Sequence, residues 1–195
     1  MPYEGSHIWR LRQKVGQDLL LMPASDCVIV RDDGALLLVW NKDFGVWAFP
    51  GGYAEPGQTS AECAAREALE EAGVEVDPQT LEPFAFVSGE TVVYPGGDST
   101  APFIQVFMAR QWRQTEEPVD TDEIAESRWF APEDLLAGPM DEKERLVLEA
   151  YLEYLATGRY RCIALRRTLR RAAGEPPGEF GRAGDTGGLA GHAPV

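Results

Sequence analysis

Residues Gly51–Val74 read GGYAEPGQTSAECAAREALEEAGV, and the end of that stretch sets a problem in electrostatics. Thr59 and Glu62 have capping-box spacing, the run Ala61–Ala72 is rich in alanine, and Gly73 suits the left-handed position beyond a helix end. The segment therefore predicts a helix. At about 100° per residue, Glu67, Glu70 and Glu71 share an arc of roughly 100° on one face. Like charges three and four apart repel, and acids in a last turn oppose the helix dipole. Either the face is simply solvated, or the acids serve something that local stability does not explain. The apolar side, Ala65, Ala68, Leu69 and Ala72, can seat the helix on a sheet, and the Gly51–Gly52 loop is close enough to fold over the acidic face. Three carboxylates beside backbone carbonyls suit a hard cation such as Mg²⁺ or Mn²⁺, not a thiolate-type metal site. An array that breaks a local rule is where function is expected.

Upstream, DCVIV and ALLLVW flank the turn RDDG and predict a β-hairpin over residues 26–40. VWAFPGG predicts a short strand entering the glycine loop, with Trp47 and Phe49 as core. Ile8, Leu11 and Val15 recur as in a short amphipathic N-terminal helix, which could pack on the domain or serve a homodimer. Downstream, strands are expected at FAFVSG (84–89), TVVY (91–94), FIQVFMARQW (103–112) and SRWF (127–130), with a short helix at PEDLL. Leu146, Val147, Ala150, Tyr154 and Leu155 predict a helix from Asp141 to Thr157, with Gly158 as its stop. The arginine-rich run RYRCIALRRTLRR reads as one more helix, solvated or facing a partner.

The 195 residues suit one well-buried domain, and 44% hydrophobic content is that of a globular chain. The organisation expected is an N-terminal helical extension (1–17), one domain with C-terminal helices (18–172) and a disordered Gly/Pro-rich tail (173–195). A formal charge of −14 argues against a sequence-independent nucleic-acid surface. Cys27, Cys63 and Cys162 form no CxxC pair, and the apolar runs are far too short to span a bilayer. A cytoplasmic protein with no membrane partner is the expectation.

Gly51–Val74 resembles the Nudix box, G-x5-E-x7-R-E-U-x-E-E-x-G-U with U an apolar residue. Gly52, Arg66, Glu67, Glu70, Glu71, Gly73 and Val74 stand where that pattern asks, and the Trp47–Gly52 entry and the strand order are similar to that family over roughly residues 20–157. The resemblance implies an α/β fold, a single domain with a mixed β-sheet sandwiched between helices. It also implies Mg²⁺-dependent hydrolysis of a nucleoside diphosphate linked to another group, such as a nucleotide sugar, an ADP-ribose-type compound or a nucleoside triphosphate. Glu67, Glu70, Glu71 and the Gly51 carbonyl would hold the metal, with Mn²⁺ as a substitute, and Arg66 would orient the glutamates. The general base is left open between Glu67 and a carboxylate of the loop 115–126, with Glu123 and Glu126 next to the following strand. Lys42, Tyr53 and Tyr94 are candidates for substrate contact, against plainer readings as surface or core. The pattern departs at Gln58, where the family has glutamate. Gln58 is expected to accept a hydrogen bond from Arg66 without charge assistance, with weaker metal binding or altered substrate preference. A non-hydrolytic nucleotide sensor or scaffold is the alternative.

Overall fold

The computed structural model describes residues 4–94, 96–115 and 123–170. The predicted hairpin is present and longer than expected: β1 (Leu20–Val30) pairs antiparallel with β2 (Leu36–Asn41) through Ile29↔Leu37. Two short strands, β3 (Val46–Ala48) and β4 (Gly51–Tyr53), carry the chain into the box helix α2 (Ser60–Ala72). After β5 (Val74–Glu75), the two segments read as separate strands form one long β6 (Glu82–Val93), interrupted by irregular pairing with β7 (Ser99–Ala109). β8 (Arg113–Gln114), β9 (Ile124–Phe130), α3 (Pro132–Ala137), α4 (Glu142–Thr157) and β10 (Arg161–Arg170) complete the order, which opens with α1 (His7–Val15).

The main sheet runs β10-β6-β7-β1-β2-β3, with β4 also on β1 and β9 also on β2. β1–β7 and β6–β10 are parallel and the other pairs antiparallel, so the sheet is mixed. Alternation along its central strands builds two cores. Val28, Val30, Leu36, Leu38 and Trp40 face Val147, Leu148 and Tyr151 of α4. Their neighbours Cys27, Ile29, Leu37 and Val39 face Ala64, Ala68 and Ala72 of α2. The sheet is thus sandwiched between α2 and α4 in an α/β domain, with Trp47 and Phe49 buried as expected.

The arginine-rich run is a strand, not a helix. Ile163 and Leu165 are buried while Cys162, Ala164 and Arg166 are exposed, a period of two that pairs with β6. Arg167 is held there by Glu90, Asp141 and Glu142. The tail 173–195 and residues 116–122 of the acidic loop lie outside the described residues. Among the described residues, no helix is long and apolar enough to cross a membrane.

Candidate active site

The capping box closes at the start of α2: Thr59 Oγ1 accepts from the Glu62 N–H at 3.2 Å, and Glu62 Oε2 accepts from the Thr59 N–H at 2.8 Å. At the far end Gly73 is left-handed (φ 64°), and its N–H reaches the Leu69 carbonyl at 3.0 Å. The small side chains of Ala64, Ala68 and Ala72 let the helix lie close on the sheet, and that closeness turns two of the three acids inward. Glu67 and Glu71 are 8% and 6% exposed, whereas the Glu70 side chain is 41% exposed at the rim. The acidic face is therefore not a solvated one.

The glycine loop folds over these acids. The Gly51 N–H donates to Glu71 Oε2 at 2.8 Å. A Cβ on Gly52 would lie 2.6 Å from Glu67 Cδ, and one on Gly51 would lie 2.9 Å from Asp26 Cγ. A side chain at Gly52 would have to displace the Glu67 carboxylate, and one at Gly51 would meet both Asp26 and the Ser25 carbonyl, 2.9 Å away. Arg66 binds the group together, donating to Glu67 Oε1 at 2.6 Å, Glu70 Oε2 at 2.5 Å and the Tyr53 carbonyl at 2.8 Å. Burial pushes the Glu67 carboxyl up to about 7, against the opposing pull of Arg66. Burial, then the charges of Glu67 and Glu123, hold the Glu71 carboxyl well above the usual range, despite the Gly51 N–H.

This donor set is all oxygen, and its excess negative charge is what a hard divalent ion neutralises. In chemistry and charge the residues fit such an ion. Among the described residues no three acidic, thiol or imidazole groups yet converge as a ligand group. Glu67 Oε1 and Glu70 Oε2 are instead engaged by the guanidinium of Arg66, which orients both carboxylates.

The other sequence-predicted residues divide. Glu123 is brought in: its Oε1 accepts from Asn41 Nδ2 at 3.2 Å, its carbonyl accepts from the Lys42 N–H at 3.0 Å, and its charge reaches Glu67 and Glu71. Glu126 is not: it is exposed on β9 and pairs with Arg128 at 3.2 Å. Lys42 has its side chain exposed on the turn after β2. Tyr53 and Tyr94 join hydroxyl to hydroxyl at 3.0 Å, and Tyr53 also meets Thr100 Oγ1 at 2.7 Å. Gln58 does not reach Arg66; its Oε1 accepts from the Glu55 N–H at 2.9 Å. The reason is local. Gln58 closes the turn before α2, while the two terminal nitrogens of Arg66 are taken by Glu67, Glu70 and the Tyr53 carbonyl and its buried Nε has no partner among the described residues.

Sequence reasoning missed the group behind Gly51. Lys143 Nζ lies 2.8 Å from Asp26 Oδ2 and 2.9 Å from Glu144 Oε1, with both carboxylate residues 3% exposed. The available signal was Asp26 itself, a charge set in the apolar strand segment SDCVIV. It also missed Phe44, whose ring stands 6.2 Å from that of Tyr94.

The NUDIX domain family model matches residues 20–151. The chain belongs to the Nudix family. Among its relatives, the NAD-capped RNA hydrolase NudC of Stutzerimonas stutzeri (strain A1501) is 29% identical over 142 residues, covering 68% of this chain and 45% of that protein. The nucleoside triphosphatase NudI of Enterobacter sp. (strain 638) is 29% identical over 126 residues, covering 62% and 89%. Among solved structures, a MutT NUDIX hydrolase from Burkholderia pseudomallei aligns with a TM-score of 0.55 at 25% identity, over 67% of this chain and 97% of that one. The Nudix chain thus spans under half the length of the NudC relative but most of the NudI one. Its Nudix domain is of the kind found in hydrolases that act on pyrophosphate bonds.

Proposed function

We propose that this Nudix protein is a divalent-metal-dependent diphosphatase acting on a nucleoside diphosphate linked to a further group. Nucleotide sugars, ADP-ribose-type compounds and nucleoside triphosphates are the substrate classes. The observation that carries this reading is the buried, mutually repelling pair Glu67 and Glu71 pressed against the Gly51–Gly52 backbone. Glu67, Glu70, Glu71 and the Gly51 carbonyl would hold Mg²⁺, or Mn²⁺ in its place. When bound, the ion supplies charge neutralisation to the diphosphate oxygens and acidity to a coordinated water.

The chain supplies the rest. Arg66 sets the rotamers of Glu67 and Glu70, and the Glu71–Gly51 hydrogen bond fixes the loop against the helix. Glu123 takes the proton of the attacking water in preference to Glu126, because Asn41 holds it beside the acidic pair while Glu126 is committed to Arg128. Glu67 is the other acid able to do so. Tyr94, hydrogen-bonded to Tyr53, and the exposed Lys42 would meet the non-phosphate and phosphate parts of the substrate.

The test is product release from a panel of nucleoside triphosphates, ADP-ribose, nucleotide sugars and dinucleoside polyphosphates, with Mg²⁺ and with Mn²⁺. Metal-dependent turnover of at least one member is expected. Tight nucleotide binding without product from a folded protein would replace this reading with that of a sensor.

A further inference from the structure

Helix α1 touches both loops that frame the candidate active site. On one side, the His7 N–H donates to Glu55 Oε1 at 2.7 Å and Arg10 Nη2 reaches Glu55 Oε2 at 3.4 Å. Glu55 belongs to the turn closed by Gln58, directly after Tyr53 and Ala54. On the other side, Arg12 Nη2 donates to the Ser99 carbonyl at 2.5 Å, with Asp98 Oδ2 3.9 Å from its Nε, and Gln17 Nε2 donates to the Gly96 carbonyl. The Arg12 side chain is only 8% exposed, and its Nη1 also ties the Gly16 and Asp18 carbonyls behind α1.

These two anchors converge on one residue. Ser99 precedes Thr100, whose hydroxyl meets the Tyr53 hydroxyl at 2.7 Å. The Tyr53 carbonyl in turn accepts from Arg66 Nη2, the same nitrogen that holds Glu67. Tyr53 is therefore gripped at its ring end through Tyr94 and Thr100 and along its backbone through the Glu55 turn. An arginine that donates to three carbonyls on two segments costs side-chain entropy, and surface packing of α1 does not require it.

We propose that α1 is a positioning strap for the active site: Arg12 and Glu55 are positioning residues that act through Tyr53 on Arg66 and so on the aim of Glu67. The proposal rests on the reading of the Glu67–Glu71 group as the catalytic centre. It assigns a mechanical task to the segment that precedes the matched domain, and to the turn that Gln58 closes.

The experiment compares wild type, Arg12→Met, Arg12→Lys and Glu55→Ala in the full chain, on whichever panel substrate wild type turns over. Arg12→Met and Glu55→Ala cut the strap from opposite ends, so a folding failure in one leaves the other to decide. Each is expected to lower kcat about ten- to a hundredfold, with KM changed far less, since a small misplacement acts on the chemical step. Arg12→Lys should recover part of the loss. Amide hydrogen exchange on the metal-free protein supplies a readout independent of turnover: residues 51–55 and 96–100 should exchange faster in both cut variants, while α4 keeps its protection. Wild-type kcat together with wild-type exchange at 51–55 in either folded variant overturns the proposal. So does exchange that accelerates uniformly, with a rate loss matching only the lost folded fraction. Should wild type turn over nothing, the diphosphatase reading fails, and the exchange pattern alone decides the strap.

Discussion

Two buried charge groups meet at Gly51, and they are built on opposite principles. On the α2 side, Glu67 and Glu70 share the single guanidinium of Arg66 while Glu71 accepts from the Gly51 N–H, with Glu123 close by. On the α4 side, Asp26 and Glu144 share the ammonium of Lys143. Burial alone would pull the lysine down, yet Asp26 and Glu144 hold it well above its ordinary value, so this group carries its own counter-charge. In the α2 group the guanidinium reaches Glu67 and Glu70, while Glu71 is driven up by burial and by the charges of Glu67 and Glu123. A balanced group stitches a helix to a sheet. An unbalanced one keeps affinity for a cation in reserve. The two should therefore respond in opposite ways when one member is removed.

The largest effect is expected from Glu71→Gln. The amide keeps an acceptor for the Gly51 N–H and removes a repelling buried charge, so the melting temperature of the metal-free protein should hold or rise. Turnover with saturating Mg²⁺ should fall about a hundredfold or more. An unchanged rate would mean that this face is not the metal site. Lys143→Met should do the reverse. Denaturant unfolding is expected to show a loss of about 3–5 kcal/mol, because Asp26 and Glu144 are left buried without a cation. Turnover per folded molecule should change by less than it does in Glu71→Gln. If both variants lose activity and stability together, the contrast between the groups is wrong.

The contrast also marks what the sequence could and could not reveal. Thr59, Glu62, Gly73 and the spacing of the three glutamates are local signals, and each survived in place. The hairpin and the two faces of its strands were equally local, resting on period-two alternation. The α4-side group was hidden because Asp26 and Lys143 are far apart in the chain, and only the packing of α4 on β1 joins them. β10 was misread because arginines stand beside Ile163 and Leu165, and charge density masked the alternation. Gln58 was assigned the wrong partner for a related reason: a motif fixes which residues are present, while the hydrogen-bond acceptor nearest in space takes the donor.

A smaller effect sharpens the same comparison without any substrate. Mg²⁺ that binds only the folded protein should stabilise it by about 2.7 kcal/mol at a hundred times its dissociation constant. A thermal melt with and without Mg²⁺ should show that gain in wild type and in Lys143→Met. It should vanish in Glu71→Gln. Chelation with EDTA should return wild type to its metal-free melting curve.

The smallest effect concerns pH and the α4 side. Burial pushes the Glu144 carboxyl up to about 7, against the lowering pull of Lys143. A carboxyl raised in the folded state holds its proton more tightly there than in the unfolded chain. Its favourable contribution is thus complete below the ordinary carboxylate value and is lost as pH rises through about 7. The metal-free protein should accordingly lose stability between pH 5 and pH 8, with Glu144 contributing at most about 1.4 kcal/mol per pH unit. Glu144→Gln removes that titration and leaves the Lys143–Asp26 pair intact. Its stability–pH curve, measured by urea unfolding without metal, should be shallower than that of wild type over this range. Equal slopes would mean that Lys143 keeps Glu144 ionised throughout, and the α4-side group would then be fully charge-separated at neutral pH.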